Sequence, residues 1–444
     1  YLLYNTIRFI FIFLIKLGMR CKKQLEGRIS EVLKVVESFS GIGSQAKALK
    51  KIGIEHKILA TIDWDISAII AYDIIHNGKP DIGKYEALSK EELIKQLDGY
   101  VLSSNGKTPL KKGGLKKYSK IHLMHLLAAI KRSNNLGSIT DIKGVDIPDE
   151  VDLFTYSFPC QDLSIAGSWH GNIGGIDRNA NNRSGMLWEV ERILLERKKL
   201  NLDLPKFLLM ENVSNILSRT HKKNFKEWKD NLSEMGYVNY VYTLNASDFG
   251  IPQKRVRVYM ISVLCNHDIN KENRVLDYFY QHDLGNPLYV QTLNIQHKAL
   301  NRILKVDYRN RVYKKEAQDS QPNDTPSRQK IYEENDILYG EGGFKDIVAT
   351  LTTKQDRNPN SGVIEYDSSR DGKAKFRYLT PRECFILMGF EEEDFDSLII
   401  NDYNVTKRYN FFTNEKLYKL AGNSIVVNVL EAIFRQIGEV NEFL

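Results

Sequence analysis

The sequence predicts an α/β fold: an open sheet flanked by helices, followed by a smaller domain of irregular character. Three observations carry this. From Val32 to about Leu264, short apolar runs alternate with amphipathic stretches, the rhythm of consecutive strand–helix units. The first apolar run ends in a glycine turn, Ser40-Gly41-Ile42-Gly43, that leads into a helical pattern. Strand, glycine turn, helix is how nucleotide-binding α/β units begin. From Cys265 to about Arg377 the rhythm fades into a basic, loop-rich stretch.

The 444 residues leave room for two or three domains with ample core. Hydrophobic content of 42% and charged content of 27% are those of an ordinary globular chain, and the net charge of +7 leans toward an anionic partner. Cys21, Cys160, Cys265 and Cys384 are far apart and form no C-x-x-C pair. That excludes a zinc knuckle and a disulfide framework and fits a reducing compartment. Tyr1 to Leu17 is apolar, with only Arg8 and Lys16 charged, yet it is short for a membrane span and lacks a small-residue cleavage site. Met19 opens a polar, basic stretch, so it is read as the working start.

Val32 to Phe39 reads as the first strand. Gly41 and Gly43 let the backbone turn tightly and approach a ligand. The second strand, Ile58 to Ile62, ends at Asp63-Trp64-Asp65. Asp63 lies 22 residues beyond Gly41, where an acid suits ribose hydroxyls. It equally suits a helix cap near Ile66, a role that Asp65 can take instead. Trp64 offers a face to an adenine ring. The glycine pattern is incomplete, which favours a ligand without a pyrophosphate over NAD. Between Ile66 and Ser138, helical patterns alternate with polar loops, and Lys107, Lys111, Lys112, Lys116, Lys117 and Lys120 crowd one of them. Such a run reads as a solvated loop, with phosphate contact as the alternative. Ile139-Thr140-Asp141-Ile142 reads as a strand whose end carries Asp141, an acceptor for an adenine amine.

Val151 to Tyr156 is a short buried strand. It delivers Phe158-Pro159-Cys160-Gln161-Asp162-Leu163-Ser164 to the crevice beyond the strand ends, where doubly wound sheets bind ligands. A thiol there is placed to be a nucleophile, although a lone Cys is often only a small buried hydrophobe. Arg183 to Trp188 opens a helix, Glu189 to Arg197. Phe207 to Met210 is a buried strand ending in Glu211-Asn212-Val213. Val238 to Leu244 follows, and then Gln253, Arg255 and Arg257 alternate along one face of a strand, suiting either solvent or an anionic or carbonyl-bearing ligand. Val348 to Thr353 is a β-branched run. Thr380 caps a helix with Pro381 in its first turn. The chain closes with Gly422-Asn423-Ser424 and a helix to about Ile437.

Six segments fall in a recognisable order: Phe-Ser-Gly-Ile-Gly at 39–43, Pro-Cys-Gln at 159–161, Glu-Asn-Val at 211–213, Gln-x-Arg-x-Arg at 253–257, Arg-Glu-x-x-x-x-x-Gly-Phe at 382–390 and Gly-Asn-Ser at 422–424. Together they make the chain resemble the DNA (cytosine-5)-methyltransferases of the bacterial restriction–modification type, from about Lys34 to the C-terminus. The resemblance implies a Rossmann-like, S-adenosylmethionine-dependent methyltransferase fold with an irregular target-recognition domain. Residues 1–29 would precede the fold. Residues 30–264 would form the catalytic domain, with an insertion at about 74–137. Residues 265–377 would recognise the target, and 378–444 would return to the catalytic domain.

By the same resemblance Cys160 is the nucleophile that adds to carbon 6 of cytosine, making carbon 5 reactive. Glu211 contacts ring nitrogen N3, with a pKa raised to suit that role. Arg255 and Arg257 hold the cytosine carbonyl and the Cys loop. Phe39, Gly41, Ile42, Gly43, Asp63, Trp64, Asp141, Ile142, Pro159, Leu187, Asn423 and Ser424 line the S-adenosylmethionine cleft. Gln161, Ser164, Gln253, Thr350 and Leu351 meet DNA. The implied partner is double-stranded DNA, with the target base flipped from the stack. A cognate restriction endonuclease is expected without a stable complex. No metal and no membrane are implied, the chain is expected to be a monomer, and its place is the bacterial cytoplasm or nucleoid. Methylation of a tRNA cytosine and a catalytically silent DNA-binding relative are the rival readings. Three departures stand out: Asp63 replaces the more usual Glu, Ser44 stands where a third glycine is common, and the insertion lengthens the spacing from Asp63 to Asp141.

Overall fold

The computed structural model describes residues 32–159, 163, 176–178, 183–406 and 409–444. Cys160, Gln161 and Ser164, and the leader, lie outside the described residues.

Six strands form the main sheet: β1 Leu33–Ser38, β2 His56–Ile62, β3 Leu153–Tyr156, β4 Phe207–Val213, β5 Tyr237–Asn245 and β6 Val256–Leu264. Their order is β2-β1-β3-β4-β6-β5. The first four are parallel, and β6 runs antiparallel to both its neighbours. The central strands read Leu-Lys-Val-Val, Leu-Phe-Thr-Tyr and Phe-Leu-Leu-Met because helices cover both faces and leave no solvated side. The strand order reverses between β1 and β3, and at such a switch point the loops diverge and open a crevice at the carboxyl edge. Register lines up the ends: Ser38 pairs with Tyr156, Tyr156 with Met210, and Met210 with Met260. One residue further on stand Phe39, Ser157 and Glu211. β4 continues through Val213, so Glu211 lies inside the strand rather than beyond its end.

The strand expected at Ile139–Ile142 does not form. Those residues make a turn closed by the Asp141 N–H on Ser138 O at 3.1 Å, with the Ser138 and Thr140 hydroxyls 2.8 Å apart. Local hydroxyl bonds of this kind compete with strand pairing. Ile139 and Ile142 are buried, and Asp141 points to solvent.

The insertion is more than a loop. Helices Lys90–Leu97 and Lys120–Arg132 bury Leu93, Leu97, Leu123, Leu126 and Leu127 in the same core as helix Ile66–Asn77. His125 stacks on Tyr403 at 3.8 Å, and the Tyr403 hydroxyl meets His122 Nδ1 at 2.8 Å.

After β6, helix Ile269–Gln281 packs Phe279 against Tyr240 of β5. A second sheet follows in the order β10-β9-β7-β8, from β7 Ile337–Gly340, β8 Gly343–Phe344, β9 Val363–Glu365 and β10 Phe376–Tyr378. The β-branched run at 348–353 contributes only an isolated bridge, Val348 to Gln253. The C-terminal helices return to the main sheet. Lys47 pairs with Asp394 at 2.6 Å, Lys51 with Glu431 at 2.9 Å, and the Tyr242 hydroxyl donates to Gln436 Oε1 at 2.9 Å.

One fully buried ion pair ties the small sheet to these helices. Arg377 of β10 donates from both terminal nitrogens to Glu383, at 2.8 and 2.9 Å. Glu383 also accepts the Thr380 and Lys305 amides, each at 2.7 Å, and completes the capping box of helix Pro381–Leu387 that Thr380 begins. Burial pushes the Glu383 carboxyl up, but Arg377 and these bonds outweigh it and hold it below the usual range. Arg377→Met would leave that carboxylate buried and unpaired. We expect it to cost about 3–5 kcal/mol in urea unfolding, and Arg377→Met with Glu383→Leu to restore much of the loss. A single variant as stable as wild type would show that the pair contributes nothing.

Candidate active site

The crevice begins at the turn after β1. Phe39, Gly41 and Gly43 all have positive φ, at 54°, 54° and 76°. A Cβ on Gly43 would lie 2.1 Å from His76 Nε2, so only glycine lets helix Ile66–Asn77 approach the turn. The neutral His76 ring donates from Nε2 to Ile42 O at 2.9 Å, its pKa pushed down to about 4 by burial. Nothing lies within 4 Å of the Cβ position of Gly41, so the turn faces open space.

Asp63 and Trp64, both half-buried, leave the end of β2 beside that space. The Asp63 carboxylate accepts the Gly41 amide at 2.9 Å and the Asp65 amide at 2.8 Å. Burial, then the neighbouring Asp65, pushes its pKa up to about 6. Asp65 takes the capping role, accepting the Ser67 amide at 2.9 Å, and pairs with Lys419. A turned glycine loop, an indole face and a carboxylate around open space suit an adenosyl group. Of the other expected cleft residues, Asn423 is exposed at the end of helix Asn414–Asn423, and Ser424 caps that helix. Pro159 is half-buried, and Leu187 and Ile142 are core residues. Asp141 sits on a turn rather than at a strand end.

At the other side of the switch point Glu211 meets Arg257, with Oε1 3.4 Å from Nε. Burial pushes the Glu211 carboxyl up, against the pull of Arg257 and Arg255. Arg255 is buried. Its guanidinium donates to Leu351 O at 2.9 Å, Gly422 O at 3.1 Å and Ser424 O at 3.0 Å. It lies just before β6, so only Arg257 of the alternating triplet is in the strand.

Two expected DNA contacts do not hold. Gln253 is fully buried, donating to Leu387 O at 2.8 Å and accepting the Leu351 amide at 3.0 Å. Leu351 is buried too. The Gln253 side chain and the Leu351 main chain fasten the recognition segment to the sheet. Thr350 is half-buried beside them and donates to Lys254 O at 2.6 Å.

Sequence reasoning missed Asn212 and Asn215. Asn212 Nδ2 donates to Phe158 O at 3.0 Å, and Asn215 Nδ2 donates to Leu163 O at 2.6 Å. They grip the chain on either side of residues 160–162. A buried Asn in an apolar strand needs partners, and that demand was the available signal. Glu37 was missed as well. It is fully buried in β1, and burial pushes its carboxyl up to about 7.

Cys265 and Cys384, the two cysteines among the described residues, are both buried. Burial pushes the Cys265 thiol up to about 11 and the Cys384 thiol well above its usual value, so neither is a competent nucleophile.

Comparison with known proteins agrees with this geometry. Residues 117–439 match the family described as C-5 cytosine-specific DNA methylase. Orphan methyltransferase M.SssI of Spiroplasma monobiae is 34% identical over 413 residues, 91% of this chain and 97% of that protein. Type II methyltransferase M2.ScrFI of Lactococcus lactis subsp. cremoris is 34% identical over 409 residues, 91% of this chain and 99% of that one. The solved structure of S. pombe Dnmt2 methyltransferase superposes with a TM-score of 0.55 at 19% identity, covering 93% of this chain and 100% of that one, which establishes the shared fold. With these relatives spanning nearly its whole length, the chain belongs to the C-5 cytosine-specific DNA methylases and is a DNA cytosine-5 methyltransferase.

Proposed function

We propose that the carboxyl edge of the main sheet methylates carbon 5 of a cytosine flipped out of duplex DNA, with Cys160 as nucleophile. The observation that carries this is the meeting of Glu211 and Arg257 at 3.4 Å, level with the end of the strand that leads to Cys160. The unsuitability of Cys265 and Cys384 supports the same choice.

In this reading the Cys160 thiolate adds to ring carbon 6 while Glu211 gives a proton to N3, leaving carbon 5 electron-rich. Burial raises the Glu211 pKa and so favours the protonated carboxyl, against the pull of Arg257 and Arg255. Arg257 offsets negative charge that develops on the ring carbonyl. S-adenosylmethionine, when bound, supplies an electrophilic methyl group. Carbon 5 then loses its proton to a base, the sulfur–carbon 6 bond breaks, and the thiolate is regenerated. Phe39, Gly41, Ile42, Gly43, Asp63 and Trp64 would hold the donor. Arg255 is assigned a positioning role in place of direct contact with the cytosine. Unpairing and unstacking the base costs a few kcal/mol, offset by contacts in the pocket. We also propose that the enzyme acts as a monomer in the bacterial cytoplasm or nucleoid and protects host DNA beside a restriction nuclease. The Type II naming of the relative from L. lactis supports that setting.

The test uses tritiated S-adenosylmethionine and mixed genomic DNA, followed by sequencing for 5-methylcytosine. Wild type is expected to label one short motif, Cys160→Ser none, and Glu211→Gln to turn over roughly 10²–10⁴-fold more slowly. Label on tRNA alone would move the substrate, and no label on either would overturn the reading.

Asp63, with its pKa at about 6, is ionised at neutral pH and protonates as pH falls through that value, losing its strength as an acceptor. Affinity for S-adenosylhomocysteine, measured by calorimetry, is therefore expected to fall up to roughly tenfold per pH unit below about 6. In Asp63→Asn it should be weaker and insensitive to pH. A wild-type affinity flat from about pH 8 to about pH 5 would remove Asp63 from the donor site.

A further inference from the structure

Between Asp98 and Asp141 the chain carries eight lysines and arginines and not one acid. The rest of the molecule holds fifty-five bases against fifty-six acids, so the whole net charge of +7 resides in the insertion. A solvated face ordinarily interleaves the two signs. Here Lys107, Lys111, Lys112, Lys116 and Lys117 are all exposed, and none forms an ion pair among the described residues. Lys90 Nζ reaches not an acid but the Lys116 carbonyl, at 2.8 Å.

The segment is also held in place. Ser103 donates its amide to Trp64 O at 2.7 Å, and its carbonyl accepts the Ile66 amide at 3.0 Å, so the loop is stitched to the residues that leave β2 at the crevice. The Ser103 hydroxyl and Asn105 side chain organise the turn through Thr108, with the Gly106 amide on Ser103 Oγ at 2.9 Å and the Lys107 amide on Asn105 Oδ1 at 2.8 Å. Lys419 donates to Asn105 O at 2.6 Å, and Leu115 is buried, anchoring the far side. The lysines thus stand on a braced platform at the carboxyl edge, the same edge that presents Glu211 and Arg257.

We propose that this platform is a second duplex-DNA surface, one that grips backbone phosphates outside the recognised bases. Compact ammonium charges with no acid in their own segment and no ion pair among the described residues suit phosphates and carry no base readout. Its contribution is sequence-independent and salt-dependent, raising affinity and steering encounter. The inference rests on DNA as the substrate of the crevice.

The full-length protein with Lys107, Lys111, Lys112 and Lys116 all changed to Gln is compared with wild type and with the same four changed to Arg. Duplex dissociation constants are measured between about 50 and about 200 mM salt, on methylatable and non-methylatable sequences. The slope of log affinity against log salt is expected to shrink by about 2 or more in the Gln variant, at roughly 0.9 for each phosphate no longer neutralised. Both sequences should weaken by the same factor, and the Arg variant should keep the wild-type slope. Unchanged melting temperature and affinity for S-adenosylhomocysteine show that the fold and donor site are intact. A Gln variant with the wild-type slope would overturn the proposal, as would a weakening confined to the methylatable sequence. Wild type that neither binds nor methylates duplex DNA would instead count against the substrate assignment itself.

Discussion

The Arg255 guanidinium is the clasp on which the active edge depends. It sits where the chain enters β6, is nearly excluded from solvent, and donates to the carbonyls of Leu351, Gly422 and Ser424. Burying a guanidinium is costly unless its donors are satisfied, and here main-chain carbonyls from two distant segments accept from both terminal nitrogens. Gln253, two residues earlier, repeats the device by bonding Leu351 N and Leu387 O. Four stretches of chain, before β6, within the recognition segment, at the end of helix Pro381–Leu387 and at the end of helix Asn414–Asn423, are thereby fixed to one another. Arg257 follows immediately in β6, so its geometry against Glu211 is inherited from that clasp.

The chemistry follows from where the sheet reverses its order. β1 and β3 stay paired to their carboxyl ends, and the loops that leave them carry the glycine turn on one side and the Pro159-Cys160 stretch on the other. Asn212 and Asn215 reach back from the end of β4 and the turn after it to hold that second loop at Phe158 and Leu163. Donor-side and base-side groups therefore sit on neighbouring strand ends, which is the arrangement a direct group transfer requires. Burial sets the titration behaviour on both sides, raising Asp63 and Glu211, with Arg257 and Arg255 tempering the latter.

Much of this was legible in the sequence. The central strands are continuous apolar runs because both their faces are covered, and β1 to β5 fall where those runs predict, whereas β6 runs from Val256 to Leu264, past the Gln253–Arg257 alternation that was read as a strand face. Thr380 with Pro381, and Asp65 before Ile66, announced helix starts by cap chemistry. Misreadings arose where local pattern and tertiary context compete. Ile139 to Ile142 has strand-like apolar ends, but its hydroxyls bond locally and close a turn. Gln253 and Leu351 belong to motifs that promise ligand contact, yet the Gln253 amide is spent on the clasp and the Leu351 side chain is buried, and no one-dimensional pattern separates a buried amide with two partners from an exposed one. The helical patterns read between Ile66 and Ser138 do form, and their leucines build core against helix Ile66–Asn77.

The most direct test of the account is a duplex in which 5-fluorocytosine replaces every cytosine, incubated with enzyme and S-adenosylmethionine. Fluorine at carbon 5 supplies no proton to remove, so the adduct cannot resolve after methyl transfer. The account requires a denaturation-resistant protein–DNA complex, dependent on the donor, whose peptide digest carries the nucleotide on Cys160. No such complex, or an adduct on Cys265 or Cys384, would contradict it.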